Sequence, residues 1–121
     1  MPELGLHRIP FTTEADNRLR SLKAKTGMTA NILCRIGFCL SLEEQGIPSE
    51  LPERFTQDKE INRYTLLGKY DTIYIALLIT RILEDNLSLK LIDNMFLAHL
   101  HRGIEILSSR IKTIGDFGEL I

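Results

Sequence analysis

The apolar positions of this chain fall into helical registers separated by glycine, proline and capping residues. Ala15, Leu19 and Leu22 recur at one-turn spacing, Thr12 or Thr13 stands ahead of them as a cap, and Glu14 and Asp16 suit the positive end of a helix dipole. Gly27 closes this segment as a left-handed terminator. Thr29 then heads a second helix, about Ala30–Gln45, ended by Gly46 and Pro48. Ile32, Leu33, Ile36 and Leu40 form one face of it, and Cys34, Phe38 and Leu42 occupy much of the rest. A helix that is apolar nearly all round needs cover on two sides. In a short chain a second subunit is the economical source of that cover, so a homo-oligomer is expected.

Outside these helices the pattern is less regular. Gly5–Phe11 alternates loosely, and Pro10 cannot donate a ladder hydrogen bond, so this stretch is at best a short edge strand or arm. Residues 47–60 (IPSELPERFTQDKE) read as an acidic, proline-punctuated connector. Thr56 is expected to cap a short helix running into Asn62–Leu67, and Gly68 breaks it. Asp71 then caps a helix over Thr72–Asp85, Asn86 ends that, and Ser88 caps a last helix over Leu89–Leu107. The tail with Gly115 and Gly118 is expected to be loosely ordered. The pattern predicts an all-α fold: one compact domain over residues 1–121, of about four to five helices, with a short N-terminal extended arm. Within it, 1–46 form a basic helix-turn-helix-like half, 47–60 the connector, and 61–121 a helical C-terminal half.

Composition changes this picture in two ways. At 121 residues the chain is one domain by size, and no apolar run approaches the roughly 18 residues of a membrane span. With no basic-then-apolar leader and only two cysteines, Cys34 and Cys39, set on different sides of a helix, a cytoplasmic protein with reduced thiols is expected. Charge is divided along the chain although the formal net charge is -1. Residues 1–40 hold six Lys/Arg against three Asp/Glu, whereas residues 41–60 hold two against six. Residues 17–29, NRLRSLKAKTGMT, contain Arg18, Arg20, Lys23 and Lys25 and no acid.

Such a concentration points to a localised anionic partner. On a helical wheel Arg18 and Lys25 flank the buried stripe on one side, and Arg20 and Lys23 lie beyond its other edge. With Arg8 and Arg35 they offer six cations, enough to contact several phosphates. The plain alternative is a set of solvated groups whose stems cover the core edge. Lys69, in the turn before Asp71, is a second place to look.

Catalytic patterns are missing. His99 and His101 lie two apart on a helix and cannot chelate a metal together, and no CxxC, HExxH, P-loop or GxSxG motif occurs. The connector carboxylates Glu43, Glu44, Glu50, Glu53, Asp58 and Glu60 have no spacing that singles out a metal-binding pair. Tyr64, Tyr70 and Tyr74 have no evident activating group. No catalytic residue, metal or cofactor is expected.

The stretch LKAKTGMTANILCRIGFCLSL resembles ribbon-helix-helix DNA-binding proteins, in which paired strands enter the major groove and helix N-termini hold phosphates. In that picture Thr29 and the backbone N–H groups after it would grip a phosphate. Pro10 and the poor alternation of the arm depart from the pattern and weigh against base-specific readout.

More of the chain is covered by a second resemblance. FTTEADNRLRSLKAKTGMTANILCRIGFCLSLEE together with INRYTLLGKYDTIYIALL is similar to the DndE family of bacterial DNA sulfur-modification proteins, over approximately residues 6–107. This resemblance implies a small, all-helical, tetrameric accessory protein. It would belong to the machinery that replaces a non-bridging phosphate oxygen of DNA with sulfur, and would bind DNA with a preference for nicked duplex. Its partners would be the sulfur-transferring, ATP-hydrolysing and cysteine-desulfurase components. The expected DNA contacts are Arg8, Arg18, Arg20, Lys23, Lys25, Thr29, Arg35 and Lys69. Competing expectations are a ribbon-helix-helix transcriptional regulator, a metal-dependent nickase using connector acids, and a scaffold that binds only proteins.

Overall fold

The computed structural model describes residues 3–49, 51 and 59–111. The expected Thr56 cap and the tail with Gly115 and Gly118 lie outside them. The arm contains a strand, β1 (Arg8–Pro10), which pairs antiparallel with β2 (Glu60–Asn62) of the same chain, placing Ile9 opposite Ile61. Phe11 N–H to the Lys59 carbonyl (2.7 Å) and Arg63 N–H to the His7 carbonyl (2.9 Å) extend the ladder at both ends. Pro10 stands at the strand's end, where its missing N–H does least harm. Glu60–Asn62 therefore corrects the sequence expectation, which ran a helix through these residues. The ribbon is built from one chain alone.

Helix α1 (Thr13–Thr26) is capped by Thr12, whose side chain accepts from the Ala15 N–H, and Gly27 ends it at φ 73° with its N–H on the Lys23 carbonyl. Helix α2 spans Ala30–Glu43. A single-turn helix, α3 (Arg63–Leu67), is capped by Asn62, and a 3₁₀ turn over Gly68–Tyr70 leads into α4 (Asp71–Glu84). Asp71 is not the cap expected of it. It lies inside α4, and its carboxylate receives both Nε and Nη2 of Arg63 at 2.7 Å. Ser88 caps a 3₁₀ turn, Leu89–Leu91, and the last helix, α5, runs Ile92–Arg110.

The core forms around the crossing of α2 and α5. Gly37 and Gly103 let the two backbones touch, since a Cβ on Gly103 would lie 2.0 Å from the Gly37 carbonyl oxygen. Leu33, Phe38, Phe96, Leu100, Ile104 and Leu107 pack around this crossing and are buried. Phe38 meets Phe96 with ring centroids 5.1 Å apart.

Cover for α2 comes largely from its own chain. Only Ile32 among its large apolar residues is exposed, at 39%. The surplus apolar surface lies instead on α4, where Tyr70, beside the helix, and Ile73, Leu77 and Leu83 are exposed.

At the far end of α2, two arginines hold the terminal carbonyls. Arg81, buried in α4, donates from Nη1 to the carbonyls of Leu42 and Glu44 (both 2.7 Å) and from Nη2 to that of Gly46 (2.6 Å). Arg102 of α5 reaches the Ser41 carbonyl (2.7 Å), the Ser41 Oγ (2.8 Å) and the Gly46 carbonyl (2.8 Å). Cations at the negative end of a helix satisfy groups that have no intrahelical partner.

Candidate nucleic-acid interface

The basic residues of α1 divide between two sides of the helix. Arg20 and Lys23 line a groove between α1 and β2, together with Phe11, Ala30, Lys59 and Ile61. Arg18 faces the other way, into a groove shared with Thr12, His101 and Arg102. Lys25 is exposed near the end of α1. The wheel expectation thus holds for Arg18 and for the pair Arg20 and Lys23.

Acids temper part of this charge. Arg20 pairs with Asp16 at 3.1 Å, Arg18 approaches Glu14 at 3.8 Å, and Arg8 meets Glu60 at 2.9 Å across the ribbon. These pairs are solvent-exposed enough to be weak, worth roughly 0–1 kcal/mol each, so a phosphate can compete for the cation. Lys23, Lys25 and Lys69 form no ion pair among the described residues.

Thr29 occupies the N-cap position of α2 with extended backbone, but its hydroxyl bonds the side chain of Asn31 rather than a backbone N–H. The amides of the first turn of α2 are therefore not capped by it. Arg35 points to the opposite side of α2 from the α1 groove. Its Nε donates to the Leu66 carbonyl at 2.5 Å, and Nη2 lies 3.4 Å from the Thr65 carbonyl. Asn31 Nδ2 reaches the same Thr65 carbonyl at 3.4 Å. These bonds join α2 to α3, so Arg35 spends two donors on structure yet keeps its charge unpaired.

The cations therefore form two groups: Arg20, Lys23 and Lys59 in the groove beside the ribbon that carries Arg8, and, at α3, Arg35 next to the Gly68–Lys69 turn. Lys59 was missed from the sequence because it sits in the acidic connector. Its Nζ is 3.9 Å from Asp16, and the Phe11 bond to its carbonyl holds its backbone in the ladder. Only its place opposite the arm reveals it, and no local sequence signal does so.

The remaining titratable candidates are wholly or partly buried, or engaged in bonds. Burial pushes the Cys34 thiol up to about 12, and Cys39 is raised by burial and by Glu43, so neither favours the thiolate. His101 is neutral-favouring through burial; its Nε2 accepts the Thr12 N–H at 3.2 Å while Nδ1 donates to the Leu97 carbonyl at 2.8 Å. His99 is brought down to about 4, first by burial and then by Arg102 and Arg81. Ser41 Oγ accepts from Arg102 and shares a hydrogen bond with His99 Nδ1, 2.8 Å away. Among the acids named for a nickase, Glu60 is engaged by Arg8, Glu44 lies 3.7 Å from Arg110, and Glu50, Glu53 and Asp58 lie outside the described residues. Among the described residues no three His, Cys, Asp or Glu side chains converge as metal ligands do. No described helix is long and apolar enough to cross a membrane.

Comparison with known proteins gives a consistent result. A family model described as DNA sulphur modification protein DndE matches residues 8–114. No curated protein matches the chain. Among solved structures, the crystal structure of DndE from Escherichia coli B7A, involved in DNA phosphorothioation modification, is similar at a TM-score of 0.66 and 25% identity, over 84% of this chain and 96% of that one. A glycine-to-lysine mutant of DndE involved in DNA phosphorothioation is similar in fold, with a TM-score of 0.64 and 24% identity, over 86% of this chain and 98% of that one.

Proposed function

This chain belongs to the DndE family of DNA sulphur modification proteins, and from that premise we propose that it is a DNA-binding, non-enzymatic accessory subunit of the DNA phosphorothioation machinery. It holds the phosphate backbone, favours nicked duplex, works in the cytoplasm, and leaves the sulfur chemistry to the other subunits. The observation that carries this reading is the groove that brings Arg20, Lys23 and Lys59 together beside the ribbon with Arg8, where Asp16 and Glu60 are the acids among the described lining residues. Contacts of this kind position a protein on DNA without reading bases. They also make affinity fall steeply with salt.

Fluorescence anisotropy on intact, nicked and single-stranded DNA across a salt series tests the reading. The wild type should bind nicked duplex best, whatever its sequence. Reversing Lys23 and Lys25 to Glu should weaken binding by about tenfold or more at low salt. It should also flatten the salt slope by about one for each lysine that touches a phosphate. Unchanged binding by the folded double variant would sink the assignment.

The same proposal includes self-association, to a tetramer, through α4. Ile73 and Leu77 are one turn apart and 58% and 45% exposed, and Tyr70 continues the stripe. An exposed apolar row on an ordered helix marks a contact surface. Assembly multiplies weak phosphate contacts by raising their effective concentration. Leu77→Asp should shift the sedimentation coefficient from oligomer to monomer; a variant that sediments like the wild type would rule out this surface.

A further inference from the structure

Tyr64 has the most exposed large apolar side chain among the described residues, at 81%. A lone surface ring needs no explanation by itself. Its mounting is less ordinary. α3 is a single turn, yet nearly every residue beside Tyr64 is tied down. Asn62 Oδ1 accepts the Tyr64 N–H at 2.8 Å. Arg63 is locked onto Asp71 and donates to the Leu4 carbonyl at 2.6 Å. The carbonyls of Thr65 and Leu66 receive Asn31 and Arg35 from α2. The ring is thus presented to solvent from a clamped backbone, with no side-chain hydrogen bond or ring contact among the described residues.

Its electrostatic setting is positive. Glu60, the nearest acid in sequence, is paired with Arg8, and Asp71 is consumed by Arg63. Arg35 and Lys69 carry no ion pair among the described residues, and Lys69 Nζ sits 5.3 Å from the centre of the Tyr70 ring. An exposed aromatic ring beside cations outside ion pairs suits unpaired nucleic acid: a base stacks on the ring while the cations hold the backbone. Tyr64 follows β2 by two residues, and β2 borders the groove of Arg20, Lys23 and Lys59, so the ring stands at the edge of the proposed backbone track.

We propose that Tyr64 is a stacking post for an unpaired nucleobase, flanked by Arg35 and Lys69, at the margin of the duplex-binding surface. The proposal rests on the DNA-binding reading and adds a ligand to it: a base freed from its stack, of any identity, since every base offers a π-face. It also separates two roles on the surface. Phosphate contacts supply general affinity, and the ring supplies preference for DNA with an interruption.

The test uses the full chain and a duplex with a two-nucleotide gap carrying 2-aminopurine, beside the same duplex intact. Tyr64→Ala should weaken binding to the gapped duplex by about 10- to 100-fold. Tyr64→Phe should bind within about twofold of wild type, because the ring and not the hydroxyl is used. Intact-duplex affinity and the salt slope should be unchanged in both, and quenching of 2-aminopurine on binding should vanish only in Tyr64→Ala. Equal losses on both DNAs, or none on the gapped one, would overturn the proposal while leaving the phosphate-binding reading intact. A changed sedimentation coefficient in Tyr64→Ala would assign the ring to a subunit contact instead. Absence of binding by the wild type to any DNA would remove the parent reading along with this one.

Discussion

Gly103→Ala is expected to destabilise the fold by about 3 kcal/mol, a value at the upper end for overpacked cores. The opposing term is small, since alanine gains about 1 kcal/mol over glycine in a helix interior. Space decides the sign. A Cβ at position 103 would lie 2.0 Å from the Gly37 oxygen, 2.2 Å from its carbonyl carbon and 2.8 Å from the Phe38 nitrogen. All three are main-chain atoms of α2, so no side chain can rotate away. α5 would have to move, loosening Leu100, Ile104 and Leu107, which are fully buried. Gly37→Ala meets the Gly103 carbonyl at 2.9 Å, a milder clash, and should cost less. Urea unfolding followed by circular dichroism ranks the variants; a Gly103→Ala midpoint equal to the wild type would show that the helices do not touch as described.

Arg81→Met should cost about 3–5 kcal/mol, the range for removing one partner of a buried ionic cluster. The change keeps the stem's apolar bulk and deletes the guanidinium. Asp85, 2.9 Å from Arg81 Nε, then loses its cation, and the carbonyls of Leu42, Glu44 and Gly46 lose donors. Arg102→Met should be milder, because this residue is only half-buried and the Gly46 carbonyl still has Arg81. Since both arginines share that acceptor, the double variant should not be the sum of the singles. A loss below about 1 kcal/mol for Arg81→Met, measured in the same unfolding assay, would place Arg81 with ordinary surface cations.

Both residues show where sequence reading stopped. Arg81 and Arg102 are two of several charged positions on α4 and α5, and nothing local says that these two bend toward the end of another helix. By contrast, the cap at Thr12 and the terminator at Gly27 were legible, because capping is set by residues within one turn. The ribbon was half legible. Gly5–Phe11 reads as extended, but its partner Glu60–Asn62 is three residues long and joins only through a contact 50 positions away, so it read as helix. The all-round apolar character of α2 was legible, and within the chain its main cover is α5. For the candidate interface, the cations of α1 stood out as a run. Lys59 and the clamped position of Tyr64 exist only once α1, β2 and α3 are brought together.

The α2–α5 crossing also bears on how the protein is made. The cations of α1 and the start of α2 leave the ribosome early, but the helix that buries α2 is the last one in the described chain. Until α5 emerges, Phe38 lacks Phe96 and His99 and the Gly37 backbone lacks Gly103, so the basic N-terminal half is not an independently folding module. DNA affinity in a nascent or truncated chain should therefore not switch on gradually with length. It awaits α5, which ties the act of binding to closure of the α2–α5 crossing.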